Sequence, residues 1–241
     1  MFHNFKYITN PENALQAIFR FISTLIVKLI APTPITPNQI SIFRMIIVIY
    51  ALYCFANGDP NSLLLGVILF YVFEILDHVD GDLARYKNLQ SKLGPLIEQF
   101  IDTWSSRPSN IFGFAIAYGI FNETDSILGF ILFALTSFGR LMWLEYRYYF
   151  GWTEHNKTVN QYTSIIADNL KESIINSFKI LYIWNNTFLL IGCLLYSFSI
   201  NIFGVSSLIV SFSIVALLNN LSWIYIVIYG FKKAINSDEK K

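Results

Sequence analysis

Long apolar runs fill most of this chain, and polar residues interrupt them at intervals. Residues 13–31 are largely apolar but carry Arg20 and Lys28, eight positions apart. That pattern predicts an amphipathic helix lying at a membrane surface rather than crossing it. Pro32, Pro34 and Pro37 then break the chain. Six apolar segments follow, near 39–57, 60–86, 94–121, 125–150, 176–199 and 203–231. A membrane-crossing helix needs about 20 residues, so the expected fold is an all-α integral membrane protein of six transmembrane helices preceded by the surface helix. The corresponding division is an arm with the surface helix over 1–38, a six-helix transmembrane domain over 39–231 and a basic, polar tail over 232–241.

The basic residues alternate along this layout. Lys6, Arg20, Lys28 and Arg44 lie before or at the first segment, and Arg85, Lys87 and Lys92 link the second to the third. Arg147, Lys157, Lys171 and Lys179 link the fourth to the fifth, and Lys232, Lys233, Lys240 and Lys241 end the chain. The other links, around Gly58-Asp59, Asn122 to Asp125 and Ile200-Asn201, hold no Lys or Arg. The positive-inside rule then places both termini and the 85–92 link in the cytosol, in a cytoplasmic (inner) membrane.

Composition agrees with this pattern. Of 241 residues, 54% are hydrophobic and 14% charged, with a mean hydropathy of +0.49, too apolar for an ordinary soluble domain. A net charge of +1 gives no reason to expect nucleic-acid binding. Cys54 and Cys193 both lie inside apolar runs and read as packing residues. Met1 to Pro11 lacks the charged and apolar regions of a cleaved signal peptide, so insertion is expected to rely on the spans themselves.

The chemistry is concentrated between residues 77 and 102. Asp77 and Asp80 are three apart, and Glu98 and Asp102 four apart, so each pair shares one helix face. A carboxylate within a membrane helix costs about 2.5–3.5 kcal/mol on insertion scales, and four of them call for a compensating partner. If the second and third segments pack antiparallel, the pairs converge into a hard-ligand set suited to one or two Mg²⁺ or Mn²⁺ ions. Gly81 and Ala84 leave room for a ligand to approach the backbone, and Gly94 permits close helix packing. Arg85 adds a forked donor for phosphate oxygens. Together these parts describe metal-assisted phosphoryl transfer.

At these residues the chain resembles the CDP-alcohol phosphotransferase family, whose pattern is D-x2-D-G-x2-A-R, about eight residues, then G-x3-D-x3-D. Asp77, Asp80, Gly81, Ala84, Arg85, Gly94 and Asp102 match seven of its eight positions, and Glu98 stands where the pattern has Asp. Thr36 to Ser41, followed by Phe43-Arg44, also resembles the family's segment before its first span. The resemblance implies that Asp77, Asp80, Glu98 and Asp102 ligate the metals, with Asp102 the catalytic base. It implies that Gly81, Ala84 and Arg85 hold the cytidine nucleotide and its phosphates, with Asn38 and Ser41 nearby. The reaction it implies is attack by an acceptor alcohol on the phosphate distal to cytidine, with release of CMP, in phospholipid biosynthesis. The donor it favours is CDP-diacylglycerol; CDP-choline or CDP-ethanolamine with a lipid acceptor is the alternative. A homodimer is what the resemblance suggests for assembly.

Glu98 keeps a second alternative open. Its extra methylene displaces the carboxylate by about 1.5 Å, one C–C bond, and errors of about 1 Å can cost on the order of 10²-fold in rate. A non-catalytic nucleotide- or lipid-binding homologue would carry such a change. A rival of another class, an ion-coupled carrier, predicts polar interruptions in several spans and internal repeats; here the acids sit in two adjacent segments. Arg107 lies five residues past Asp102 in a segment that is otherwise largely apolar, and Arg140 and Arg147 are seven apart on one face of the fourth; all three are candidates for binding a phosphate of the acceptor or lipid donor, and Arg147 also suits an interfacial snorkelling position. Asp82 falls off the shared acidic face and reads as solvated or structural. Asn219-Asn220 reads as a contact between helices.

Overall fold

The computed structural model of the chain describes residues 14–90, 93–105, 107–149, 185–202 and 205–238. Its helices are α1 (Ala14–Ile30), α2 (Pro37–Asn57), α3 (Pro60–Lys87), α4 (Leu93–Ser105), α5 (Ile111–Thr124), α6 (Leu128–Tyr149), α7 (Asn185–Ser197) and α8 (Ser207–Asp238). Between α7 and α8, strands β1 (Asn201–Ile202) and β2 (Val205–Ser206) pair antiparallel, Asn201 opposite Ser206. Among the described residues, four helices are long and apolar enough to cross a membrane: α2, α3, α6 over Leu128–Tyr146 and α8 over Ser207–Tyr225. The chain is therefore a helical integral membrane protein.

Local chemistry sets the helix ends that matter most. Thr36 and Gln39 form a reciprocal capping box at the start of α2, and Pro37 occupies the first helical turn, where its missing N–H costs nothing. Gly58 closes α2 in the left-handed conformation, φ 86°. Asp59 then caps α3, accepting from the amides of Asn61 and Ser62 at 3.0 Å each. This tight connection lays α3 antiparallel along α2. Asn88, φ 54°, ends α3, and Lys87 Nζ donates to the carbonyls of Thr33 and Ile35 at 2.6 and 2.7 Å. The end of α3 is thus tied to the link between α1 and α2.

Between α2, α3 and α5 lies a core of aromatic rings. Phe70 stacks on Phe112 at 4.8 Å between centroids, and Phe55 meets Phe112 edge-on at 5.3 Å. Lipid is as apolar as these side chains, so association within a bilayer depends on close packing and hydrogen bonds between helices. Gly119 of α5 lies against the α2 end, where a β-carbon would collide with the Phe55 carbonyl oxygen. Gly139 of α6 lies against the backbone of Asn219 and Asn220 in α8, and Asn220 Nδ2 donates across to Leu135 O at 3.0 Å. The expected contact between helices at these asparagines is present.

The links without Lys or Arg gather at one end of the bundle. Asn122 Nδ2 donates to Ala56 O at 2.9 Å, and a shallow cavity is lined by Gly58, Glu123, Thr124, Tyr196 and Ser206. The start of α2 and the end of α3 lie at the opposite end, held together by Lys87.

One expectation changes. The segment 94–121 is not one continuous helix: α4 ends at Ser105, a turn spans Arg107 to Asn110, and α5 starts at Ile111. Pro108 is the cause, because it lacks an amide hydrogen and disfavours helical geometry at the residue before it. With 13 and 14 residues, α4 and α5 are each about 20 Å long, short of a hydrocarbon core of about 30 Å. At the other end, α8 remains helical to Asp238, through most of the expected tail. The expected fifth span, 176–199, is described only from Asn185, and Lys157, Lys171 and Lys179 lie outside the described residues.

Candidate active site

Three of the four acidic residues lie together. Asp77 comes from α3, and Glu98 and Asp102 from α4. Each offers one carboxylate oxygen, and the three oxygens lie within 4.8 Å of one another. Around a Mg²⁺ with bonds of about 2.0–2.1 Å, adjacent oxygens are about 3 Å apart, so the three carboxylates would draw together by side-chain rotation to share one ion. The all-oxygen, anionic donor set fits a hard divalent ion. Glu98 joins this set, so its longer side chain does not take its carboxylate out of reach.

Asp80 stands beside the three rather than among them. Ser41 Oγ donates to Asp80 Oδ2 at 2.8 Å, which fixes that carboxylate against α2. Asp80 is 13% exposed, Asp77 25% and Asp102 39%; Asp102 is the most open of these three to an incoming group.

At the centre of the acids sits Arg44, whose side chain is fully buried. Its guanidinium pairs with Asp77, contacts Asp102 Oδ1 at 3.0 Å and lies 3.9 Å from Asp80 Oδ2. It also lies over the ring of Phe73, 5.0 Å from the centroid. Sequence reasoning counted Arg44 with the basic arm and did not place it in the site. The signal was partial: an arginine inside the apolar run of α2 needs a buried counter-charge, but its carboxylate partners lie on α3 and α4, 33 or more residues further along the chain.

Of the two roles expected for Asp82, solvated or structural, it takes the structural one. It is buried. Its Oδ1 accepts from Arg20 Nη1 at 3.1 Å and from Arg85 Nη2 at 2.5 Å, and Ser23 Oγ lies 3.2 Å from Oδ2. The i,i+3 spacing of Asp82 and Arg85 signals part of this in sequence; the contribution of Arg20 from α1 is a tertiary contact with no such signal. Gly81 faces the Arg85 guanidinium, where a β-carbon would lie 3.6 Å from its nitrogens. Ala84 is half-buried on the same turn, and Asn38 is exposed at the start of α2.

The three candidate phosphate-binding arginines are not equivalent. Arg107 is exposed in the turn between α4 and α5, five residues past Asp102. Arg140 is half-buried on α6, with its guanidinium 4.5 Å from the centroid of Trp143. The side chain of Arg147 lies outside the described residues.

Comparison with known proteins agrees with this geometry. The sequence profile of the family described as CDP-alcohol phosphatidyltransferase matches residues 34–199, a stretch that contains α2 to α6 and every carboxylate above. The chain belongs to the CDP-alcohol phosphatidyltransferase family. It is 39% identical over 89 residues to archaetidylinositol phosphate synthase of Pyrococcus horikoshii, 37% of this chain and 45% of that protein. It is 28% identical over 153 residues to ethanolaminephosphotransferase 1 of Homo sapiens, 56% of this chain and 36% of that protein. The chain thus spans less than half the length of either relative. Family membership sets aside the ion-coupled carrier.

Proposed function

We propose that this protein is a membrane enzyme that transfers a substituted phosphate from a CDP-alcohol to an acceptor alcohol, releasing CMP, in phospholipid biosynthesis. The observation that carries the reading is the convergence of Asp77, Glu98 and Asp102, oxygens within 4.8 Å, with the buried Arg44 paired to Asp77 and Asp102. Asp77, Asp80, Glu98 and Asp102 would hold Mg²⁺ or Mn²⁺, two ions in the full site. When bound, these ions supply positive charge against the phosphate oxygens. Ser41 orients Asp80, and Arg85, beside Gly81 and Ala84, binds the phosphates of the nucleotide, with Asn38 at its edge. Asp102 accepts the proton of the acceptor hydroxyl as its oxygen bonds to the phosphorus distal to cytidine and the bond from that phosphorus to the CMP oxygen breaks. Arg107, Arg140 and Arg147 form the acceptor or lipid phosphate site. The convergence of Glu98 with its neighbours favours this reading over a non-catalytic homologue.

The layout proposed is six crossings behind a surface helix, with residues 1–38 as arm, 39–231 as catalytic bundle and 232–241 as tail. In it the broken α4–α5 pair and α7 complete the count. The gathering of the Lys- and Arg-free links at one end supports an active site and termini in the cytosol, at the cytoplasmic membrane. The outward apolar residues of α1, Ile18, Phe21, Leu25 and Leu29, suit a membrane surface. Assembly as a homodimer is part of the same reading.

CDP-diacylglycerol is the proposed donor. The relatives carry the names of a synthase of archaetidylinositol phosphate and of an ethanolaminephosphotransferase, so the test must span both sides. Purified protein with Mn²⁺ is offered CDP-diacylglycerol with a panel of alcohols, and separately CDP-ethanolamine and CDP-choline with diacylglycerol. Mass spectrometry then follows the lipid product. A new phospholipid from the first set supports the assignment. Product only from the second reassigns the donor, and no product from either contradicts catalysis.

A further inference from the structure

We infer that Arg20, on α1, is a positioning residue that releases Arg85 to bind the phosphates of the nucleotide. The inference rests on the reading that Arg85 holds those phosphates.

Asp82 is 3% exposed, so its carboxylate needs a partner in every state of the site. Two arginines supply one, both on the same oxygen, Oδ1: Arg20 at 3.1 Å and Arg85 at 2.5 Å. Arg85 cannot give its best donors to a phosphate while Asp82 depends on it. With Arg20 in place, Asp82 keeps a counter-charge when Arg85 turns toward the nucleotide. Without Arg20, Arg85 would be the only guanidinium on a buried anion, and nucleotide binding would have to compete with that ion pair. Ser23 cannot take over the task. It is neutral, and its single hydroxyl hydrogen is shared between Asp82 Oδ2 at 3.2 Å and the Arg20 carbonyl at 3.0 Å.

The orientation of α1 supports this role. On α1, Val27, Ile26 and Ile30 pack against Leu76, Val79 and Leu83 of α3, while Phe21, Leu25 and Leu29 face outward. Within that buried apolar face, Arg20 and Ser23 are directed at Asp82, three residues before Arg85. The side chain of Arg20 is 15% exposed, so this contact is shielded from competing ions.

The test measures CDP binding to the full chain in nanodiscs with Mn²⁺, by calorimetry. Arg20→Ala is expected to weaken CDP binding about tenfold, the effect of one charge-assisted hydrogen bond. Adding Asp82→Asn to it removes the anion that traps Arg85 and restores affinity to within about threefold of wild type; a merely structural contact would instead be damaged twice. Asp82→Asn alone, which does not depend on Arg20→Ala folding, binds CDP at least as tightly as wild type. The inference is overturned if Arg20→Ala leaves CDP affinity unchanged while Arg85→Ala weakens it. Failure of Asp82→Asn to restore binding, or weaker binding by Asp82→Asn alone, overturns it equally. If Arg85→Ala itself leaves CDP binding unchanged, the assignment of Arg85 fails first, and the inference with it.

Discussion

Replacing Arg44 with methionine should expose how the acidic cluster is held together. Methionine keeps an apolar stem over Phe73 but removes the cation that pairs with Asp77, contacts Asp102 at 3.0 Å and lies 3.9 Å from Asp80. Removing one member of a buried ion pair costs about 3–5 kcal/mol. Asp102 is 39% exposed and Asp77 25%, so water recovers part of that loss and the lower figure, about 3 kcal/mol, applies. For a chain of this size each kcal/mol moves the melting point by about 2–4 °C, so Arg44→Met should melt about 6–12 °C below wild type in EDTA. Mn²⁺ should then recover part of the gap, because a bound cation supplies the missing positive charge and stabilises the folded state by mass action. Differential scanning fluorimetry of the purified protein in detergent, with EDTA and then with graded Mn²⁺, reads both effects. A variant that melts within about 2 °C of wild type in EDTA would refute the argument that Arg44 neutralises the cluster.

Two further outcomes follow from the same geometry. Glu98→Asp restores the residue of the family pattern, yet it withdraws the carboxylate by about 1.5 Å from a cluster that Glu98 already reaches. Turnover should therefore fall, by up to about 10²-fold, with a higher Mn²⁺ requirement; faster turnover would show that Glu98 is the defect and not the fit. Gly139→Leu would drive a side chain into the backbone of Asn219 and Asn220, where even a β-carbon meets an atom at 2.8 Å. It should lower the melting point by several degrees through loss of the α6–α8 contact, whereas unchanged melting would show that these helices separate freely.

What could be read from sequence was the set of faces, and what could not was which faces meet. The three- and four-residue spacings put Asp77 with Asp80 and Glu98 with Asp102, because helical periodicity is a local property. Spacing cannot place a residue on a neighbouring helix, so Arg44 was counted as one of the basic residues of the arm although its partners lie on α3 and α4. Arg20 shows the same limit. In sequence it interrupts an apolar run, and in the structure it lies on the buried face of α1 because Asp82 is there to receive it. The break between α4 and α5 was legible: Pro108 lies inside the segment read as one span, and the hydropathy of the residues around it concealed the missing amide hydrogen.

The central claim is that the acids of α3 and α4 form a divalent-cation-dependent site for releasing CMP. The most direct measurement is CMP release by the purified full chain as a function of Mn²⁺, for wild type and for Asp77→Asn in parallel, with the donor and acceptor that the substrate panel selects. The account predicts saturable Mn²⁺ dependence in wild type, no release in EDTA, and in Asp77→Asn a requirement shifted to much higher Mn²⁺ or lost altogether. CMP release that persists in EDTA, or that has the same Mn²⁺ dependence in Asp77→Asn as in wild type, would contradict it.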